Sequence, residues 1–303
     1  MPQDFDPPIG IAVEINPMLR RIIAPNPSPM TYRGTNTYLL GHREIAVIDP
    51  GPLNEAHLVA ILDALRPEQS ISHILVTHSH KDHSPLAAPL SKATGIPVMA
   101  FGDAFSGRSE IMKKLVSEGL AASGEGVDTE FQPHQTLSDG TEIASSEWKL
   151  IVRHTPGHLG NHICLEWENS CFTGDHVMGW ASSLVSPPDG DLTDFIASCL
   201  RLNMREWSVF FPGHGDVISA PNHRLAWLLN HRMGRERAIL KALGQSPSSV
   251  RALTETIYQE TQIALLPAAE RNVLAHLIDL YGKNKVSPLG AFDPQGVFQV
   301  VEH

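Results

Sequence analysis

The first two thirds of the chain are built from short apolar runs, rich in β-branched residues and broken by glycine, proline and asparagine. Four of these runs share one plan, a strand-like stretch that ends on a histidine or aspartate. Ile71 to Thr77 leads into His78; Trp148 to His154 leads through Thr155-Pro156-Gly157 to His158. Ser170 to Gly174 ends at Asp175, and Ser208 to Gly213 ends at His214. Runs of this length between turn residues predict buried strands. The edge-strand candidates are Ile9 to Ile15 and Leu19 to Ala24. Thr37 to Leu40 and Ile45 to Ile48 are expected to form a hairpin, and Ile163 to Trp167 another with Ser170 to Thr173. Ile96 to Ala100 is a further short strand.

Helical spacing appears between the strands. Asn54 is placed to cap a helix carrying Leu58, Ile61, Leu62 and Leu65, closed by Pro67. Ser84-Pro85 reads as the start of a helix after the histidine run. Phe101 to Gly126 reads as a helical segment with Ile111, Met112, Leu115, Val116 and Leu120 on one side. Thr193 to Met204 turns Phe195, Cys199 and Leu202 inward, and Met178 to Asp191 before it is a loop suited to contacting substrate.

From Pro221 the pattern changes to helices. Leu225 to Leu243 is long and carries Arg224, Arg232, Arg235 and Arg237 in or beside it; Ser246-Pro247 opens a second helix, and Pro267 to Tyr281 is a third. Lys285 to Val301 can supply two short strands, which completes a winged-helix outline. The division expected is a domain over 1–220 and a helical linker with a winged-helix-like domain over 221–303.

The chemistry is concentrated in Thr77-His78-Ser79-His80-Lys81-Asp82-His83, three imidazoles and a carboxylate on a strand-to-helix turn. His78 and His80, two apart in extended chain, point the same way and can share a metal; Asp82 and His83 can serve a second. Four ligands cannot close two shells, so the remainder must come from distant strand ends. Any one of the chain's 16 histidines is more often structural than a ligand. Three within six residues beside an aspartate change that balance.

This run, followed in order by His158, Asp175 and His214, resembles the metallo-β-lactamase-fold hydrolases over roughly residues 30 to 220, in the lactamase-beta-2-like branch with its carboxy-terminal winged-helix-like module. The resemblance implies an α/β fold, a four-layer αββα sandwich followed by a small, mostly helical domain. It implies one metal on His78, His80 and His158, a second on Asp82, His83 and His214, and Asp175 bridging them. It also places Asp49 behind the ligands as a hydrogen-bond partner. His162 and His176 are candidates for hydrogen-bonding or proton-relaying positions beside the site. His80 stands where oxygen-reducing di-iron members carry a glutamate, which favours zinc and hydrolysis, with iron or manganese as the other metals such ligands suit.

The function expected is a dinuclear hydrolase in which a metal-shared, activated water cleaves a small ester, thioester or lactone, with Asp82 orienting the nucleophile and relaying a proton. A metal-dependent phosphodiesterase or endoribonuclease is the second reading, and a non-catalytic metal-binding regulator the third. Composition narrows these. With 33 acidic against 23 basic residues the formal charge is −10, and from residue 245 onward four Lys or Arg face six Asp or Glu. Clustered cations for phosphate contacts are therefore lacking, which argues against DNA; RNA remains open under the second reading. The winged-helix-like module is expected to wall the active-site cleft or to form a homodimer contact. No apolar stretch approaches a membrane span, the amino terminus lacks an export-signal pattern, and Cys164, Cys171 and Cys199 lack zinc-ligand spacing. Reduced core thiols and a cytoplasmic location are the expectation.

Overall fold

The computed structural model describes residues 5–120, 124 and 126–301. The first sheet has seven strands in chain order: β1 (Val13–Asn16), β2 (Leu19–Ile23), β3 (Asn36–Leu40), β4 (Glu44–Ile48), β5 (Ser70–Leu75), β6 (Val98–Ala100) and β7 (Gln135–Thr136). It is antiparallel up to β4 and parallel from there to β7. The second has order β12-β11-β10-β9-β8, from β8 (Glu142–Ala144), β9 (Lys149–His154), β10 (Ile163–Trp167), β11 (Ser170–Gly174) and β12 (Val209–Pro212).

Period-two alternation sorts the strand residues into layers. Tyr38, Leu40, Ala46 and Ile48 face the second sheet and pack with Leu150, Val152, Leu165 and Phe172. Leu39, Ile45 and Val47 point the other way, under α1 (Glu55–Asp63) and α2 (Ala87–Thr94), where they meet Ile61 and Leu90. On the far side of the second sheet, Cys164, Cys171 and Phe210 pack beneath α4 (Leu192–Leu202) and α5 (Pro221–Leu243). The architecture is a four-layer αββα sandwich.

The carboxy-terminal module comprises β13 (Ser248–Ser249), α6 (Val250–Ile257), α7 (Leu266–Gly282), β14 (Val286–Pro288) and β15 (Val297–Val300), with β15 central in a three-stranded sheet. It closes a core of its own around Leu253, Val273, Leu277 and Phe298, which also takes in Met112 and Leu115 of α3 (Glu110–Ser117). The 23-residue α5 belongs to both units: Leu225 and Leu228 lie in the sandwich core, Ile239 and Leu243 in that of the module.

Four local expectations differ. Ser246-Pro247 does not open the second helix of the module, because Ser248–Ser249 pairs as β13 and Ser249 Oγ accepts the Ala252 N–H at 3.3 Å, so α6 starts at Val250. Ser84-Pro85 does not open a helix, because the Leu86 N–H that a Ser84 cap would take is donated to the Gly51 carbonyl at 3.1 Å and the Ala87 N–H closes a turn on the Ser84 carbonyl at 2.9 Å; α2 starts at Ala87. The helix expected over 101–126 is confined to Glu110–Ser117, capped by Ser109, and residues 121–123 and 125 lie outside the described residues. Ile9 makes only an isolated bridge to Ile23, and the first strand begins at Val13. Cys164, Cys171 and Cys199 are free and buried. Among the described residues no helix is long and apolar enough to cross a membrane.

Candidate metal centre

The seven side chains singled out in the sequence meet at one end of the sandwich. They fall into two groups that could each hold a metal ion, His78, His80, His158 and Asp175, and Asp82, His83, Asp175 and His214, with the ligand atoms of each group within 4.8 Å of one another. Asp175 belongs to both.

The backbone brings them there by strand ends. His78 to His83 follow β5 in a turn that is clamped from two sides. Asn161 Nδ2 donates to Ser79 Oγ and to the Asp103 carbonyl, each at 2.9 Å, and the Asp128 N–H reaches the Ser79 carbonyl at 2.8 Å. His214 sits beyond β12, where Asn36 fixes its neighbours: the Asn36 N–H donates to the Gly213 carbonyl at 2.7 Å and Nδ2 to the Gly215 carbonyl at 2.9 Å. Neither Asn36 nor Asn161 is legible as a site residue from sequence, since both bond across more than 50 positions.

Hydrogen bonds behind the site set which ring nitrogen faces inward. Asp49 stands at the end of β4 with φ +52°, a left-handed conformation that aspartate tolerates better than most residues. Its Oδ2 accepts the His83 Nδ1–H at 3.0 Å and the Thr77 hydroxyl at 2.8 Å, and Oδ1 accepts the Thr77 N–H at 2.7 Å. The Thr77 oxygen then accepts from His78 Nδ1 at 3.0 Å. His214 Nδ1 donates to the Gly34 carbonyl at 3.1 Å, and His158 Nδ1 to that of Leu184 at 2.6 Å. Each of these four rings thereby turns Nε2 toward the centre. His162 and His176 do not join them. His162 Nδ1 pairs with Thr155 Oγ1 at 2.9 Å and His176 Nε2 lies 3.5 Å from Cys199 Sγ, both rings are fully buried, and neither bonds to any of the seven side chains. The His162 ring nevertheless lies beside the site, its centroid 5.1 Å from that of His78 and 6.2 Å from that of His158, with the His176 ring behind it at 5.7 Å.

The arrangement fits cations. His78 Nε2 and His158 Nε2 each lie 3.0 Å from His80 Nδ1, a convergence of lone pairs that one ring proton cannot satisfy. Among the described residues, buried Asp175 Oδ1 has no hydrogen-bond partner, His83 Nε2 standing off at 3.5 Å. A Cβ on Gly213 would lie 2.4 Å from that oxygen and 2.8 Å from His83 Cε1, so glycine keeps this cradle open. The two groups also differ in electrostatics. Burial holds His78, His80 and His158 in the neutral form that binds metal, with His80 pushed down to about 3 by burial and by His158. Burial also acts against protonated His83 and His214, but the Asp82 and Asp175 carboxylates outweigh it and raise both, His214 to about 10. Protons on these two rings occupy the place of a cation.

A cavity of about 170 Å³ opens on the centre, with His80, Asp82, His158 and Asp175 on its polar side and Val127, Leu159, Met178 and Leu184 opposite. Ser186 and Asp189, from the loop expected to contact substrate, complete the wall. A second cavity of about 200 Å³ shares Met30, Met178 and Leu184 with the first, and Tyr258, Leu265 and Asn272 of the carboxy-terminal module line its other side.

A sandwich with paired His/Asp groups at its strand ends defines a class, and comparison with known proteins agrees: the metallo-beta-lactamase superfamily profile matches residues 30–214, so the chain belongs to that superfamily and is a metal-dependent hydrolase. The beta-lactamase associated winged helix domain matches residues 249–292. A relative from Drosophila melanogaster, a beta-lactamase-like protein 2 homolog, is 32% identical over 276 residues, covering 88% of this chain and 89% of its own. An atrochrysone carboxyl ACP thioesterase from Cryptosporiopsis is 31% identical over 82% of this chain and 69% of its own. A beta-lactamase domain protein from Burkholderia ambifaria superposes with a TM-score of 0.80 at 20% identity, covering 99% of this chain and 96% of that one, which shows the shared fold.

Proposed function

We propose that the chain hydrolyses a small thioester or related ester or lactone at a two-cation centre, zinc being the metal the His80-containing set favours. The observation that carries this reading is a pair of His/Asp groups joined at Asp175, facing a cavity with an apolar wall and, among the described residues, no lysine or arginine in its lining. Beyond the cations themselves, a phosphodiester would find no Lys or Arg in the lining to pair with its oxygens, which favours the acyl reading over the phosphoryl one. The thioesterase relative supports the same order.

In this reading His78, His80 and His158 would hold one cation and Asp82, His83 and His214 the other, with Asp175 available to both groups. Bound cations would supply Lewis acidity, polarising the scissile carbonyl and making water nucleophilic near neutral pH. The protein's own groups do the remaining work. Asp82 is the more open of the two site carboxylates, 26% exposed against 8% for Asp175. It orients the attacking water and passes the proton to the departing sulfur or oxygen. Met178, Leu159 and Leu184 exclude bulk water and seat the apolar part of the substrate. Three buried free thiols accord with a cytoplasmic site of action.

The test is metal content together with a panel of chromogenic thioester, ester, lactone and phosphodiester substrates. Two equivalents of metal and turnover of thioesters or esters are expected. Turnover of the phosphodiester alone would overturn the acyl assignment, and two bound metals with no turnover of any substrate would favour a regulatory metal protein. His83→Ala should abolish turnover, since it removes both a cation site and the partner of Asp82.

A further inference from the structure

Two of the arginines of α5 are fastened to the loop that borders the metal centre. Arg224 Nε donates to the Met178 carbonyl at 2.7 Å and Nη2 to that of Ala181 at 2.5 Å. Two turns along, Arg232 is 1% exposed, and its Nη2 donates to the carbonyls of Ser182 at 2.7 Å and Ser183 at 2.6 Å. Its Nη1 donates to Asn272 Oδ1 on α7 at 2.9 Å, and the same oxygen accepts the Val185 N–H at 3.2 Å. The backbone on both sides of Leu184 is thus tied to the carboxy-terminal helices. Leu184 is the residue whose carbonyl takes the His158 Nδ1–H at 2.6 Å. Ser183 adopts φ +52°, so the segment is held in a turned form that an untethered serine rarely keeps.

We infer that Arg232 and Asn272 are positioning residues for His158, through which the winged-helix module sets the orientation of an imidazole at the metal centre without touching substrate. The reading of His158 as a ligand underlies this. A guanidinium on a buried carbonyl makes a charge-assisted bond, stronger than a neutral one and costly to leave unmade. Release of the loop would move the Leu184 carbonyl, free the His158 ring to rotate and remove the acceptor that holds its tautomer. Losing such a partner weakens metal binding about 10- to 100-fold. The effect should be confined to one side, because His83 and His214 are held by Asp49 and Gly34 on the other.

The experiment is cobalt(II) titration of the full-length, metal-stripped protein, followed by visible absorption and checked by elemental analysis. Asn272→Leu keeps the volume and removes the shared acceptor; one cobalt should bind as in the wild type and the other about 10- to 100-fold more weakly. Asn272→Asp keeps the oxygen and should restore both. Should the leucine variant not fold, Arg232→Lys replaces the two-carbonyl fork with a single point donor and should weaken the same cation. Wild-type affinity for both cations in a folded Asn272→Leu protein overturns the inference. Equal weakening of both, in step with a lower melting temperature, overturns it as well, since that marks a purely structural role. His158→Ala, titrated alongside, separates the two readings. If it binds both cations normally, the ligand assignment fails; if it loses one while Asn272→Leu loses none, only the coupling fails.

Discussion

Asp82 and His57 show how much single residues can be asked to explain. Replacing Asp82 by asparagine preserves shape and removes the proton acceptor on the cavity side. We expect kcat to fall about 10²- to 10⁴-fold in variant protein loaded with two equivalents of metal, with the second cation held more weakly because Asp82 belongs to its group, measured by stopped assay and elemental analysis; an unchanged pH–rate profile at full metal content would exclude the relay role. His57 is not part of the centre. Its Nε2–H donates to Thr37 Oγ1 at 2.8 Å, and burial pushes its pKa down from 6.5 to about 4. The unfolded chain therefore takes up a proton between those values that the folded chain refuses. The stability contributed is complete above pH 6.5 and is lost as pH falls toward 4, up to about 3 kcal/mol from this group. Melting temperature followed over that window should decline, and His57→Gln should flatten the slope. At this scale the sequence is readable where a residue's neighbours along the chain carry the meaning, as in the His78 to His83 run. His162, four residues past His158, packs its ring against His78 and His158, while His176 packs on His162 rather than on a ligand candidate. Arg232 and Asn272 are invisible until the fold brings positions 40 apart together.

Elements position the chemistry by ending where they do. Each of β5, β11 and β12 delivers its side chain on the first residues past the sheet, and β9 does so through the turn at Gly157. That glycine has φ +139°, and a Cβ there would lie 2.3 Å from Phe195 Cα on α4. Gly157→Ala should therefore destabilise the protein by about 1–3 kcal/mol and displace His158. Chemical denaturation and cobalt titration would measure the two effects, and an unchanged midpoint would show that α4 can retreat. Strand-and-ligand order was legible because short β-branched apolar runs ending at turn residues are a local signature that contacts between sheets do not alter. Helix limits were less so. Ser84-Pro85 has the composition of a helix start, but the Leu86 N–H such a cap would take is drawn to the carbonyl of Gly51, a residue 35 positions away. The apolar stripe from Ile111 to Leu120 is real, yet it packs into the core of the carboxy-terminal module.

At the scale of the molecule, α5 joins the sandwich and module cores, so the two units are expected to unfold together. Cations should stabilise both, because they bind only the assembled strand ends. At a free concentration a hundredfold above the dissociation constant the gain is about 2.7 kcal/mol per site, on the order of several degrees in melting temperature for a chain of this size. Scanning calorimetry with and without chelator should show a single transition that moves down on metal removal; two separate transitions would show that α5 does not couple the cores. The three cysteines give access to the same process from another direction. Cys164 and Cys171 lie on adjacent strands and Cys199 on the helix above them, all sealed from solvent. An alkylating reagent can reach them only when this layer opens, so the rate at which label accumulates reads out how often the native protein breathes there.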